Sequence, residues 1–265
     1  MGNKGTRWLD SLVWIAGIAV YLFLTIPVLV IILSAFSPTD YPQFPPTDFS
    51  VRWFTEVFQS EQWMQSLWSS TLVMIIVTPL TVLLGTMSSY ALARLSFPGK
   101  GLIQSFIMSP LMIPQVVLGV ALLYLFSSLG LFGSTLGLII GHIVICFPYV
   151  VRTVSVSITN LDSRLELASM NLGSTPWQTF YRVTLPLIKP GIIAGDVFAA
   201  VTSFGEISVS LFVSTPETIT IPVRTFGYID QTFDPSVNAI AVIFIALSVI
   251  ALVIIEKTIG LSKVM

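Results

Sequence analysis

Six stretches of this sequence, 12–36, 69–93, 102–127, 135–158, 191–213 and 237–258, are each long and almost continuously apolar. A helix needs about 20 such residues to cross the hydrocarbon core of a bilayer. Backbone polar groups in hydrocarbon must be satisfied within their own segment, so each stretch is predicted to be helical. Only 9% of the residues are charged, against about 25% in an ordinary soluble domain. The expected fold is therefore an all-α polytopic membrane protein, one transmembrane domain over 1–265 with six transmembrane helices. The first run follows Lys4 and Arg7 but is longer than the roughly 7–15-residue apolar core of a signal peptide, and is read as a retained span. Pro79 in the second run, and Pro110 and Pro114 in the third, each remove a backbone donor and are expected to kink their helices.

Positive charge orients the spans. Lys4, Arg7, Arg94, Lys100, Arg164, Arg182, Lys189, Lys257 and Lys263 all fall on the side shared with the N-terminus, whereas Arg52 and Arg224 fall opposite. Both termini are thus expected to be cytoplasmic, with 37–68 and 214–236 external. In the first external segment Ser50 is a candidate helix cap, and Trp53, Phe54, Val57 and Phe58 recur at helical spacing, as in a helix lying on the membrane surface. The second, with Pro216, Pro222 and Pro235, reads either as a gate folded into the external mouth or as a surface connector.

Between the fourth and fifth runs lies a polar insert, 159–190, with the local signals of two short helices. Asp162 or Ser163 can cap the first, and Ser163 with Glu166 has capping-box spacing. Gly173 suits the left-handed position that ends a helix. Thr175-Pro176-Trp177-Gln178 then supplies a cap, a proline at the first helical position and a glutamine at the third, and Pro186 is expected to end the second helix. A stiff, double-capped element suits transmission of a push to the spans on either side. Ordinary connectors are shorter.

This insert resembles the cytoplasmic coupling loop (the EAA loop) of bacterial ABC importer permeases. The matching residues are Glu166, Ala168, Leu172-Gly173, Phe180 and Leu185-Pro186, with Leu167 and Ser169 standing where the second glutamate and second alanine of the usual pattern would be. Ser109–Val117, Thr202–Glu206, Leu211–Ser214 and Ile221–Val223 extend the likeness to the second permease subunit of the spermidine/putrescine importer family. That resemblance implies a type I ABC importer permease fold in the bacterial inner membrane. Expected partners are a second homologous permease, two copies of a cytoplasmic ABC ATPase, an external solute-binding protein and membrane lipid. Glu166, Ala168, Gly173, Leu185 and Pro186 are the expected ATPase-coupling residues. The implied function is movement of a small polar, cationic, polyamine-like solute by alternating access. Importers of aminoethylphosphonate-like compounds belong to the same group, and a stand-alone secondary transporter is the rival from another class.

Where the family commonly carries two acids, this chain has Gly205-Glu206. Intramembrane carboxylates usually mark pathways, so Glu206 is preferred as a path residue, with Tyr124, Phe204 and Phe212 as candidate aromatic faces for an ammonium group. A helix–helix polar contact and plain packing are the alternatives. Asp196, nearer the cytoplasmic end, is expected to reach water or to pair with Lys189 or Arg182. The lone His142 is expected to bond between helices, and the lone Cys146 to pack. No Gly-x-x-x-x-Gly-Lys-Ser/Thr loop is present, so ATP and magnesium belong to the partner ATPase; the chain itself is expected to hold no cofactor or metal, to catalyse nothing and, with a net charge of -1, to bind no nucleic acid.

Overall fold

The computed structural model describes residues 4–232 and 234–259, and these are helical and irregular, with no strand among them. In chain order the helices are α1 (Lys4–Ser34), α2 (Arg52–Gln59), α3 (Glu61–Arg94), α4 (Lys100–Met108), α5 (Gln115–Ser128), α6 (Thr135–Asn160), α7 (Ser163–Asn171), α8 (Pro176–Thr179), α9 (Leu185–Leu187), α10 (Lys189–Phe204), α11 (Ser210–Val213), α12 (Ile221–Gln231) and α13 (Ser236–Ile259). Four of these, α1, α3, α6 and α13, are long and apolar enough to cross a membrane unaided.

The other two expected spans are broken. The run 102–127 forms α4, a 3-10 turn at Ser109–Leu111, and α5, the two halves bent by 106°. Pro110 and Pro114 cause the break, because each lacks a backbone donor and Pro114 pushes Ile113 away from helical geometry. The run 191–213 is likewise not one helix. α10 starts at Lys189 and ends at Phe204, and α11 is a separate four-residue turn. At 16 residues α10 is about 24 Å long, short of the roughly 30 Å core. It meets the preceding Pro176–Leu187 segment at 69°.

By its contacts the chain, read from sequence as one domain, divides into two compact units: the described parts of 1–61 with 227–246, and those of 62–226 with 247–265. In the first unit the membrane-length window of α1 has no buried residue. The surface helix expected near Ser50 exists as α2, although Ser50 lies one residue before the cap position and accepts from Arg52 N–H at 3.2 Å. Its apolar face is more enclosed than a surface-lying helix requires. Trp53 and Val57 are buried, Trp53 Nε1 donates to the Ser37 carbonyl at 3.1 Å, and the Phe54 ring lies tilted against Phe36 with centroids 4.9 Å apart.

The second unit is organised around α6. Its buried side, including Cys146, Val150, Val154 and Ile158, packs in a common core with Val73 and Val77 of α3 and Ala199 of α10. Close approach is set by small residues. A Cβ on Gly191 would stand 2.2 Å from Ser157 Oγ, and one on Gly195 would stand 3.0 Å from Thr153 Oγ1. Gly191-x-x-x-Gly195 thus lets the α6 and α10 backbones come together, as small residues four apart do in membrane helix pairs. Ser89 of α3 completes the packing by donating to the Val151 carbonyl at 3.0 Å.

Candidate functional site

The polar insert folds as its local signals dictate. Asp162 caps α7 by accepting the Arg164 N–H at 2.9 Å. Gly173, at φ +92, closes the helix: its N–H reaches the Met170 carbonyl at 2.9 Å and Ser174 N–H reaches that of Ser169 at 3.2 Å. These two bonds make a Schellman motif, which satisfies carbonyls that a helix end would otherwise leave free. Thr175 and Gln178 cap each other's backbone reciprocally at 3.2 and 2.9 Å. Thr179 Oγ1 donates to Ser169 Oγ at 3.1 Å and staples the two arms, so the serine in place of the family's second alanine has a structural use.

Two expectations for the insert need correction. Pro186 does not end the second helix. A π-turn at Phe180–Thr184 precedes it and the chain continues through α9 to Leu187. The wider π-turn shifts the hydrogen-bond register just ahead of a residue that has no N–H, which lets the helix carry a proline without stopping. Nor does Glu166 complete a capping box with Ser163. It turns inward, only 6% exposed, and takes Arg94 of α3 and Thr184 of the π-turn as partners. Arg94 Nε lies 2.7 Å from Oε2, and Thr184 Oγ1 donates to Oε1 at 2.6 Å. The Arg94 contact is a charge pair rather than an aligned hydrogen bond, since Nε aims its N–H at no acceptor. A second arm of Arg94, Nη2, donates to the Leu161 carbonyl at 3.3 Å.

Glu166 therefore knots three pieces of chain: the end of α3, helix α7 and the segment leading into α10. Ala168, Gly173 and Pro186 are exposed, and Leu185 is half-buried. The outward side of the insert carries Leu165, Leu167 and Leu172, all exposed, with Leu172 at 89%.

The expected path residues do not converge. Glu206 lies beyond the end of α10, where it accepts Val209 N–H and Ser210 N–H at 2.8 Å each and the Ser210 hydroxyl at 2.7 Å. It serves the backbone of the next turn. Because Ser210 Oγ spends its only proton on Glu206, His142 Nε2, 2.8 Å away, must donate to Ser210, and His142 Nδ1 then accepts from Ser203 at 3.0 Å. The chain Ser203–His142–Ser210–Glu206 is buried throughout and joins α6 to α10 and α11, which places His142 between helices as expected. Phe204 is buried, Phe212 packs where Gly119 leaves room, and Tyr124 is 73% exposed. Packing accounts for both phenylalanines.

Asp196 pairs with neither Lys189 nor Arg182, both of which are exposed. It faces a cavity between α3, the insert and α10. At the opposite end of α3 the segment after α11 is fastened down. Ile221 N–H bonds Ser70 Oγ at 2.8 Å, and Arg224 bonds Ser66 Oγ at 2.5 Å and Gln62 Oε1 at 3.0 Å. Residues 214–226 are thus no loose connector.

Helices of membrane length and, between two of them, a capped, inward-knotted polar insert are more than a bare anchor needs. Residues 81–257 match the family model described as binding-protein-dependent transport system inner membrane component, and the chain belongs to that family of ABC importer permeases. It is 29% identical to the spermidine/putrescine transport system permease protein PotC of Haemophilus influenzae, over 91% of this chain and 93% of the relative. The molybdenum transport system permease protein ModB of Escherichia coli strain K12 is 34% identical over 74% of this chain and 95% of its own length. Among solved structures, a bacterial ABC transporter that imports the acidic polysaccharide alginate superposes with a TM-score of 0.75 at 14% identity, covering 98% of both chains. The fold is that of a type I importer permease.

Proposed function

We propose that the chain is the permease subunit of an ATP-driven importer for a small polar, cationic solute of the polyamine class. It would pair with a second homologous permease, two cytoplasmic ABC ATPase subunits and an external solute-binding protein, with both its termini cytoplasmic. The observation that carries the reading is the Glu166 knot. An insert held only by its two ends would absorb a displacement. One tied to the end of α3 through Arg94, and into the approach to α10 through Thr184, passes a push to α3, α6 and α10 together.

The exposed apolar side of the insert suits the groove of a partner, with Leu165 and Leu172, two helical turns apart, as anchors. Closure of the ATPase pair would move the insert and shift the populations of the outward-open and inward-open states. The ATPase supplies nucleotide hydrolysis with magnesium. This chain's residues receive and distribute the motion. The solute class rests on similarity to polyamine permeases, since Glu206 is occupied by its own turn and contributes nothing to it.

The test is uptake by proteoliposomes holding the full complex with its binding protein. ATP-dependent accumulation of labelled putrescine or spermidine supports the reading. Accumulation of an anion alone would overturn the solute class, and uptake by this chain without ATPase would overturn the ABC mechanism.

A further inference from the structure

The cavity beside Asp196 has a volume of about 700 Å³ and an almost wholly apolar lining, with Leu83 and Met87 of α3 on one wall and Ile192 of α10 on another. The coupling insert supplies the third wall through Trp177 and Phe180, whose rings stack at 5.8 Å, and Phe180 meets Tyr90 edge-on at 4.8 Å. Into this setting the chain places one carboxylate. Among the described residues Asp196 has no hydrogen-bond or ion-pair partner.

A charged group in an apolar recess is costly unless something of opposite charge meets it. No group of three or more metal-ligating side chains exists among the described residues, so a metal ion is poorly served. The lining suits a different cation, one whose charged end is small and whose body is apolar. Aromatic faces attract ammonium groups, and apolar walls accept methylenes.

We propose that this cavity binds an organic ammonium ion on a flexible apolar stem, with Asp196 taking the ammonium and the ring cluster of Tyr90, Trp177 and Phe180 flanking the stem. Two sources carry that chemistry: a water-borne alkylamine or polyamine, and the headgroup amine of a phospholipid. Because one wall is the coupling insert, an occupant braces it against α3 and α10. The site is independent of the transported solute's identity, and its failure would leave the importer reading intact.

The complex of full-length subunits in phosphatidylcholine nanodiscs, titrated calorimetrically with n-octylammonium and corrected against empty discs, tests the proposal. Asp196→Asn should weaken binding at least tenfold, while 1-octanol should not distinguish variant from wild type. Native mass spectrometry separates the sources: phosphatidylethanolamine retained by wild type and lost by the variant assigns the site to lipid, and octylammonium binding without such retention assigns it to a soluble amine. Equal octylammonium affinity within twofold, together with equal lipid retention, would overturn the proposal. Should Asp196→Asn not assemble, Leu83→Trp, at an exposed position on the cavity wall, puts an indole into the space and should abolish the same binding; unchanged binding there would be equally fatal.

Discussion

Arg94→Ala isolates the mechanical role of the Glu166 knot. Removing one partner of a buried ion pair costs roughly 3–5 kcal/mol. The Arg94 side chain keeps 21% of its exposure and Glu166 keeps 8%, so solvent screens part of that interaction. Glu166 also retains the bond from Thr184 Oγ1. About half the full figure, roughly 2 kcal/mol, is the reasoned loss. At about 1.4 kcal/mol per tenfold, the detached population of the insert rises about 30-fold. Amide exchange across 163–187 should accelerate accordingly, while exchange in the α6 core should not. In proteoliposomes the variant should hydrolyse ATP but move less solute for each ATP consumed. Arg94→Ala and Glu166→Gln should be strongly non-additive, because they break the same contact. Exchange changed less than threefold, with solute moved per ATP intact, would refute the argument.

Three further substitutions test other parts of the account. Gly173→Val forces a β-branched residue to φ +92 and should cost about 1–2 kcal/mol and uncouple hydrolysis from uptake; Gly173→Asn should be much milder, since nothing crowds the position. Equal behaviour of the two variants would count against the Schellman cap. Glu206→Gln removes charge from three buried hydrogen bonds and should lower thermal stability of the complex, by roughly 1.5–3 kcal/mol, with the solute KM unchanged; a raised KM at unchanged stability would restore it to the path. Gly191→Ala drives a methyl into Ser157 Oγ and toward the Thr153 carbonyl 2.9 Å from it, for a loss of about 1–3 kcal/mol. Because that carbonyl is backbone, adding Ser157→Ala should rescue little, and full rescue in a melting assay would contradict the close-packing argument.

The polar insert was largely readable from sequence because its signals are local. Asp162, Gly173 and Thr175 with Gln178 each act within four residues, and each acts as its type suggests. Arg94 was visible only as a topology charge. Its partner stands 72 positions on, and no periodicity links the two. Glu206 was read as a path residue because a deep carboxylate is usually a pathway signal, and the structure adds the bonds it makes to its own next turn. The signal for those bonds lay in Gly205, which ends α10, and in Ser210, four residues beyond Glu206, where a carboxylate can serve the next turn. In the third run Pro110 and Pro114 announced a kink, but hydropathy carries no measure of bending and did not show that it would reach 106°. Gly191 and Gly195 carried a small-residue spacing that hydropathy does not weigh, and it fixes how closely α6 and α10 pack.

Force entering through the insert is the claim on which the mechanism stands. The most direct measurement is zero-length or short-span crosslinking from Leu172→Cys, at the most exposed apolar position of the insert, in membrane vesicles during turnover. The account predicts an adduct with the ATPase subunit whose yield changes between nucleotide-free and ATP-trapped states. Vesicles that import solute at the full rate while yielding no ATPase adduct from this position or from Leu165→Cys in any nucleotide state would contradict it.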